Sequence, residues 1–66
     1  MQKKKIGKRL RALRGDLSRA EVAKAVGLTP DAIAKYERDE RVPKDPIKIK
    51  LAEFFNADIE SIFFVK

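Results

Sequence analysis

Apolar residues recur along this chain mainly at helical spacing. Ile6, Leu10 and Leu13 line one face of a helix through residues 3 to 14, with the basic side chains largely on the other faces. Gly15 follows, suited to the left-handed turn that ends a helix. In LSRAEVAKAVG, Ser18 and Glu21 have the spacing of a capping box: the hydroxyl accepts from the amide of Glu21, whose carboxylate accepts in return from that of Ser18. A second helix starts there, turns Val22, Ala23 and Val26 inward, and stops at Gly27. In GLTPDAIAKYE a third helix opens with Thr29 as N-cap. Pro30 at the first helical position gives up an amide that has no intrahelical acceptor, and Asp31 suits the positive end of the helix dipole.

The pair Asp45-Pro46 repeats the device, an N-cap followed by proline, ahead of Ile47, Leu51, Phe54 and Phe55. Residues 47 to 51 also alternate like a strand, but the proline start and the continuing LAEFF decide for a fourth helix. Asp58 caps a short fifth helix carrying Ile59, Ile62 and Phe63. The expectation is an all-α fold in one domain over residues 1–66, with no repeat, linker or low-complexity block.

Composition narrows the chemistry. A chain of 66 residues buries only about 60% of its unfolded surface, which leaves little material for an enclosed active site. With no cysteine and no histidine, disulfides, thiolate nucleophiles, the usual zinc sites and histidine-dependent triads are excluded. No paired acid and base or activated nucleophile is apparent, so an enzyme is not expected, nor a cofactor or metal. The basic start lacks an apolar core of signal-peptide length, and no run is long enough to cross a bilayer; a soluble, cytoplasmic protein is expected.

The formal charge of +6 is unevenly placed. Residues 1 to 14 carry seven basic side chains and no acid, whereas residues 15 to 45 set six basic against seven acidic and residues 46 to 66 set three against three. A polyanionic partner, nucleic acid or an anionic membrane, fits this asymmetry, and so does a solvated helix face. Two short helices joined by a tight glycine turn are also the geometry that sets a second helix into a DNA major groove, although bundles without that activity share it.

The segment LSRAEVAKAVGLTPDAIAKYE resembles the helix-turn-helix core of the Cro/C1-type, or Xre, family of bacterial and phage transcriptional regulators. The likeness runs through Leu17, Ser18, Ala23, Gly27, Leu28, Thr29, Ile33, Tyr36 and Glu37, with Val22 for the usual leucine, and continues to Pro43 and LAEFFNADIESIF. It implies a compact five-helix lambda repressor-like bundle with a helix-turn-helix core at about residues 18–37. It also implies sequence-specific binding of double-stranded DNA by a transcriptional regulator, repressor ahead of activator, with a recognition helix at about residues 30–37. Structural roles follow for Ala23 at a close helix crossing, Gly27 at a positive φ, Ile33 as a core plug, and Glu37 in an ion pair with helix one, through Arg14 or alternatively Arg11.

On the family's geometry Pro30, Asp31, Ala32 and Lys35 are the base-reading set. Lys35 would donate to guanine O6 and N7, Asp31 accept from cytosine N4, and Pro30 or Ala32 pack on a thymine methyl; capping is the competing account of Asp31. Arg19, where the family often has glutamine, and Thr29, Arg38, Arg41 and Lys44 are the candidate phosphate contacts. They are joined by Lys3, Lys4 and Lys5, either as an arm or as the first turn of helix one. Asp39 stands where the family often has glycine, so the loop 38–43 is expected to be rearranged.

The resemblance also implies a homodimer on half-sites about 34 Å apart. Phe63 is assigned to the core and Phe64 or Val65 to a dimer seam, and regulatory input falls to protein concentration or to a separate regulatory protein. No membrane partner is expected. The rival is a protein-interaction or antitoxin-like module built on the same fold.

Overall fold

The computed structural model describes residues 3–64, with side chains from residue 6 onward. The chain forms α1 (Lys3–Arg14), α2 (Arg19–Val26), α3 (Pro30–Glu37), α4 (Asp45–Phe55) and α5 (Ile59–Phe63). These are the five helices expected, in order, and no strand occurs among the described residues.

The helix ends are set by local chemistry. Ser18 Oγ accepts the Glu21 amide at 3.0 Å and the Glu21 carboxylate accepts the Ser18 amide at 2.9 Å, closing the capping box. Gly27 ends α2 at φ 74°, where a residue with a Cβ is strained, and its amide reaches back to the carbonyls of Ala23 and Lys24. Thr29 caps α3 with its hydroxyl accepting the Ala32 amide at 3.2 Å. At α4 the start differs by one residue: Lys44 is the N-cap and Asp45 is already helical. The shift leaves Pro46 in the first turn, where its missing amide would have no intrahelical acceptor. Asp45 still faces the positive end of the dipole and pairs with Lys48 at 3.7 Å. Asp58 is the N-cap of α5, without a side-chain capping bond.

Leu10, Val22, Ala23, Val26, Ile33, Tyr36, Leu51, Ala52, Ile62 and Phe63 form one core. Each large aliphatic member contributes about 1.5–3 kcal/mol by burial. Helix α3 packs on both α1 and α2, α4 packs on α2, and α5 closes against α4 and α1. Phe63 is in this core as expected. Leu13 is not: it is exposed, because the inward face of Leu10 continues one turn later to Arg14, whose side chain turns in to meet Glu37. Phe54 is exposed as well, lying edge-on to the half-buried Phe55 at 5.1 Å.

Helix α1 meets the C-terminal end of α3 at Gly7. A Cβ there would collide with the Glu37 carbonyl and come within 2.8 Å of the Asp39 carboxylate. Asp39 itself sits at φ 60° and accepts the Gly7 amide at 3.1 Å. Aspartate here takes the left-handed conformation that glycine would, and its bond to the Gly7 amide helps to offset the cost of that conformation. Lys3, Lys4 and Lys5 belong to α1, so the helical alternative holds for their backbone and the arm does not; their side chains lie outside the described residues.

Alanine favours a helix interior over glycine by about 0.8–1.0 kcal/mol, yet Gly7→Ala is expected to lower stability by about 1–3 kcal/mol through overpacking, read from the urea midpoint. Glu21 is held below the usual carboxylate range by the Ser18 amide and then the Ser18 hydroxyl. A lowered folded pKa contributes stability that is complete above the ordinary carboxylate range and is lost as pH falls through the lowered value. Glu21→Gln should therefore be less stable than the parent at pH 7, and the two urea midpoints should converge in acid.

Candidate nucleic-acid interface

The turn between α2 and α3 fixes which residues of α3 face out. Ile33, Ala34 and Tyr36 are buried, while Thr29, Pro30 and Asp31 are exposed and Ala32 and Lys35 half-buried. The outward edge of α3 therefore carries Thr29, Pro30, Asp31 and Lys35. Ala32 packs partly against the core, so little of its methyl remains for a base. Ala23 and Ile33 occupy the structural positions expected of them, each buried in the core.

Charges on this edge are interleaved. Lys35 Nζ lies 3.3 Å from Asp31 Oδ2, one helical turn away. Arg38, the C-cap of α3, binds Glu40 through Nε at 2.7 Å and Nη2 at 3.3 Å. The bond to Glu40 pushes the Arg38 guanidinium up, and the bond from Arg38 holds the Glu40 carboxyl below its usual range. Both groups are exposed, and exposed pairs exchange readily with other partners. Arg41 and Lys44 are exposed in the α3–α4 loop beside an open groove formed with Tyr36, Val42 and Ile47.

Behind the edge lies one buried carboxylate. The Glu37 side chain is only 3% exposed, and Arg14, 16% exposed, grips it with Nε on Oε2 at 2.6 Å and Nη2 on Oε1 at 3.2 Å. The third Arg14 nitrogen donates to the Leu17 carbonyl at 2.8 Å. Of the two arginines considered for Glu37, Arg14 is thus the partner. Arg19 was expected only as a phosphate contact, but its Nε also donates to Glu37 Oε1 at 3.2 Å while its side chain stays 41% exposed. Hydrogen bonding to Glu37 raises the Arg14 guanidinium above its ordinary pKa.

Sequence reasoning missed Gly7 as a contact point and Glu40 as the partner of Arg38. For Gly7 a signal existed, since glycine inside a helix usually answers a close approach. Glu40 pairs with Arg38 across a turn whose conformation depends on Asp39, and no spacing rule encodes that. Of the two residues assigned to a dimer seam, Phe64 is 55% exposed with Lys48 Nζ 4.9 Å from its ring centre, and Val65 lies outside the described residues.

The bonding around Glu37 predicts unequal roles for its two arginines. Removing one partner of a buried pair costs roughly 3–5 kcal/mol, less where another cation remains. Arg14→Ala should therefore lower stability by about 2–3 kcal/mol. Arg19→Ala, at a more exposed site, should cost less than about 1 kcal/mol. Urea denaturation of both variants checks the order.

The family model described as Helix-turn-helix, of the Cro/C1 type, matches residues 8–62. Comparison with curated proteins gave no match, and comparison with solved structures gave none. No helix among the described residues is long and apolar enough to cross a membrane. Five helices in the expected order, a glycine turn between α2 and α3, and a family match across most of the chain converge: the protein belongs to the Cro/C1-type helix-turn-helix family of DNA-binding transcription regulators.

Proposed function

We propose that this chain is a cytoplasmic repressor, a single domain over residues 1–66, that binds double-stranded DNA in a sequence-specific manner with α3 in the major groove. The observation that carries the reading is the division of α3 itself: Ile33, Ala34 and Tyr36 anchor it, while Thr29, Pro30, Asp31 and Lys35 form a projecting edge. Lys35 and Asp31 set a donor beside an acceptor, which complements a G·C pair, Lys35 toward guanine O6 and N7 and Asp31 toward cytosine N4. Pro30 packs on a thymine methyl, and the half-buried Ala32 does so to a smaller extent. Arg19, Thr29, Arg38, Arg41, Lys44 and the Lys3–Lys5 segment of α1 contact phosphates. The Thr29 hydroxyl accepts within its cap and keeps its proton to donate.

Repression is the proposed outcome because it requires only occupation of the site. One short helix reads few base pairs, so two copies act together on half-sites about one DNA turn apart, joined through a seam that includes Phe64 or Val65. A second reading, a protein-docking module on the same scaffold, draws on the mutual neutralisation of Asp31 with Lys35 and of Arg38 with Glu40.

Selection from randomised duplexes at stated salt separates the two. The repressor reading expects an enriched motif whose affinity falls as salt rises, by about 0.9 in the log–log slope for each phosphate engaged. Absence of salt-dependent duplex binding would favour the docking module. Asp31→Ala should relax preference at one base pair by about 1–3 kcal/mol of discrimination; an unchanged motif would remove Asp31 from the reading set.

A further inference from the structure

The two arginines on Glu37 are bound in different ways. Arg14 spends all three guanidinium nitrogens inward, two on the carboxylate and one on the Leu17 carbonyl. Arg19 spends only its Nε, the nitrogen nearest its own backbone, on Glu37 Oε1. Its two terminal nitrogens make no hydrogen bond within the described residues, and its side chain is 41% exposed. A guanidinium is planar, so fixing Nε restricts the plane and direction of the outer fork. That outer fork is the part that matches the oxygens of a phosphate with two parallel donors.

We infer that Glu37 is a positioning residue, which aims the Arg19 fork at a DNA phosphate and holds Arg19, at the start of α2, in fixed register with the end of the recognition helix. The inference rests on the duplex-binding reading above. Glu37 suits the task because its side chain is almost wholly shielded and already immobilised by Arg14, so it is a fixed anchor and not a second mobile chain. Arg19 then meets DNA with much of its rotational freedom already spent, which lowers the ordering cost of the contact. A lysine at the same position keeps the charge but has one ammonium and no inner nitrogen, so it cannot hold Glu37 and present a fork together.

The test measures affinity for a duplex enriched by random-site selection, across a salt series, for the parent, Arg19→Lys, Arg19→Gln, Glu37→Gln and the Arg19→Gln/Glu37→Gln double variant, each checked for helical content and for folding at the assay temperature. Arg19→Gln should weaken binding about tenfold for each half-site, the scale of one charge-assisted contact, and flatten the salt slope by about 0.9 for each half-site. Arg19→Lys should lose nearly as much affinity despite its retained charge. Glu37→Gln adds a positive unit to the net charge and on electrostatics alone would tighten binding. Positioning instead expects it to weaken binding with Arg19 present and to have little further effect in the Arg19→Gln background.

Parent-like affinity in Arg19→Lys would overturn the inference while leaving the duplex-binding reading intact, and this surface variant does not depend on the fold tolerating loss of Glu37. Equal weakening by Glu37→Gln in both backgrounds would overturn it too, reducing Glu37 to a fold-stabilising role. A parent protein with no salt-dependent duplex affinity would overturn the duplex-binding reading and the inference together.

Discussion

The arrangement turns on the carboxylate of Glu37. It sits at the end of α3, takes two bonds from Arg14 of α1 and one from Arg19 of α2, and is almost wholly shielded from water. A charge so placed is unfavourable unless its lone pairs are met, and here three nitrogens from two helices meet them. The apolar core supplies cohesion without direction. The ion triad adds direction, because guanidinium bonds are angular and tolerate little sliding between helices. Helix α3 is consequently held both by Ile33 and Tyr36 driven into the core and by a directional clasp at its C-terminal end.

Most of the scaffold was legible in the sequence because its signals are local. A capping box, a proline at a first helical position and a glycine that accepts a positive φ each act within four residues, and each appears where expected, at Ser18 and Glu21, at Pro30 and at Gly27. Ala23 and Ile33 could be placed because helical periodicity gives the inward face of a helix once its ends are known. What local signals did not show has the opposite character and depends on residues distant in sequence. Leu13 was assigned inward because spacing cannot tell that the next inward position, Arg14, is reserved for a charge. Asp39 was expected to disturb its loop because conformational preference alone disfavours it; the bond to Gly7, 32 residues distant, is what compensates. Arg19 was read only as a phosphate contact, and its inward bond depends on where another helix ends.

Charge shows a similar division between what is near and what is brought near. The excess of basic residues lies in the first 14 positions, whereas the outer edge of α3 is balanced, with Asp31 against Lys35 and Glu40 against Arg38. Net positive charge and the paired charges of the α3 edge therefore belong to different parts of the molecule. Attraction exerted by net charge acts at long range and fades with salt, whereas closely paired opposite charges such as Asp31 with Lys35 largely cancel at a distance and differ only at contact range.

The contact between Gly7 and Asp39 has a consequence for how such a chain can change over generations. Where a glycine would satisfy the left-handed turn by having no side chain, this protein satisfies it with a side chain that fastens to another helix, so the two positions are no longer independent. Replacing Asp39 with glycine would withdraw the acceptor from the Gly7 amide, and adding bulk at position 7 would dislodge both Asp39 and the backbone of Glu37. The contact couples the two positions, so a substitution at one alters the surroundings in which a substitution at the other is accommodated.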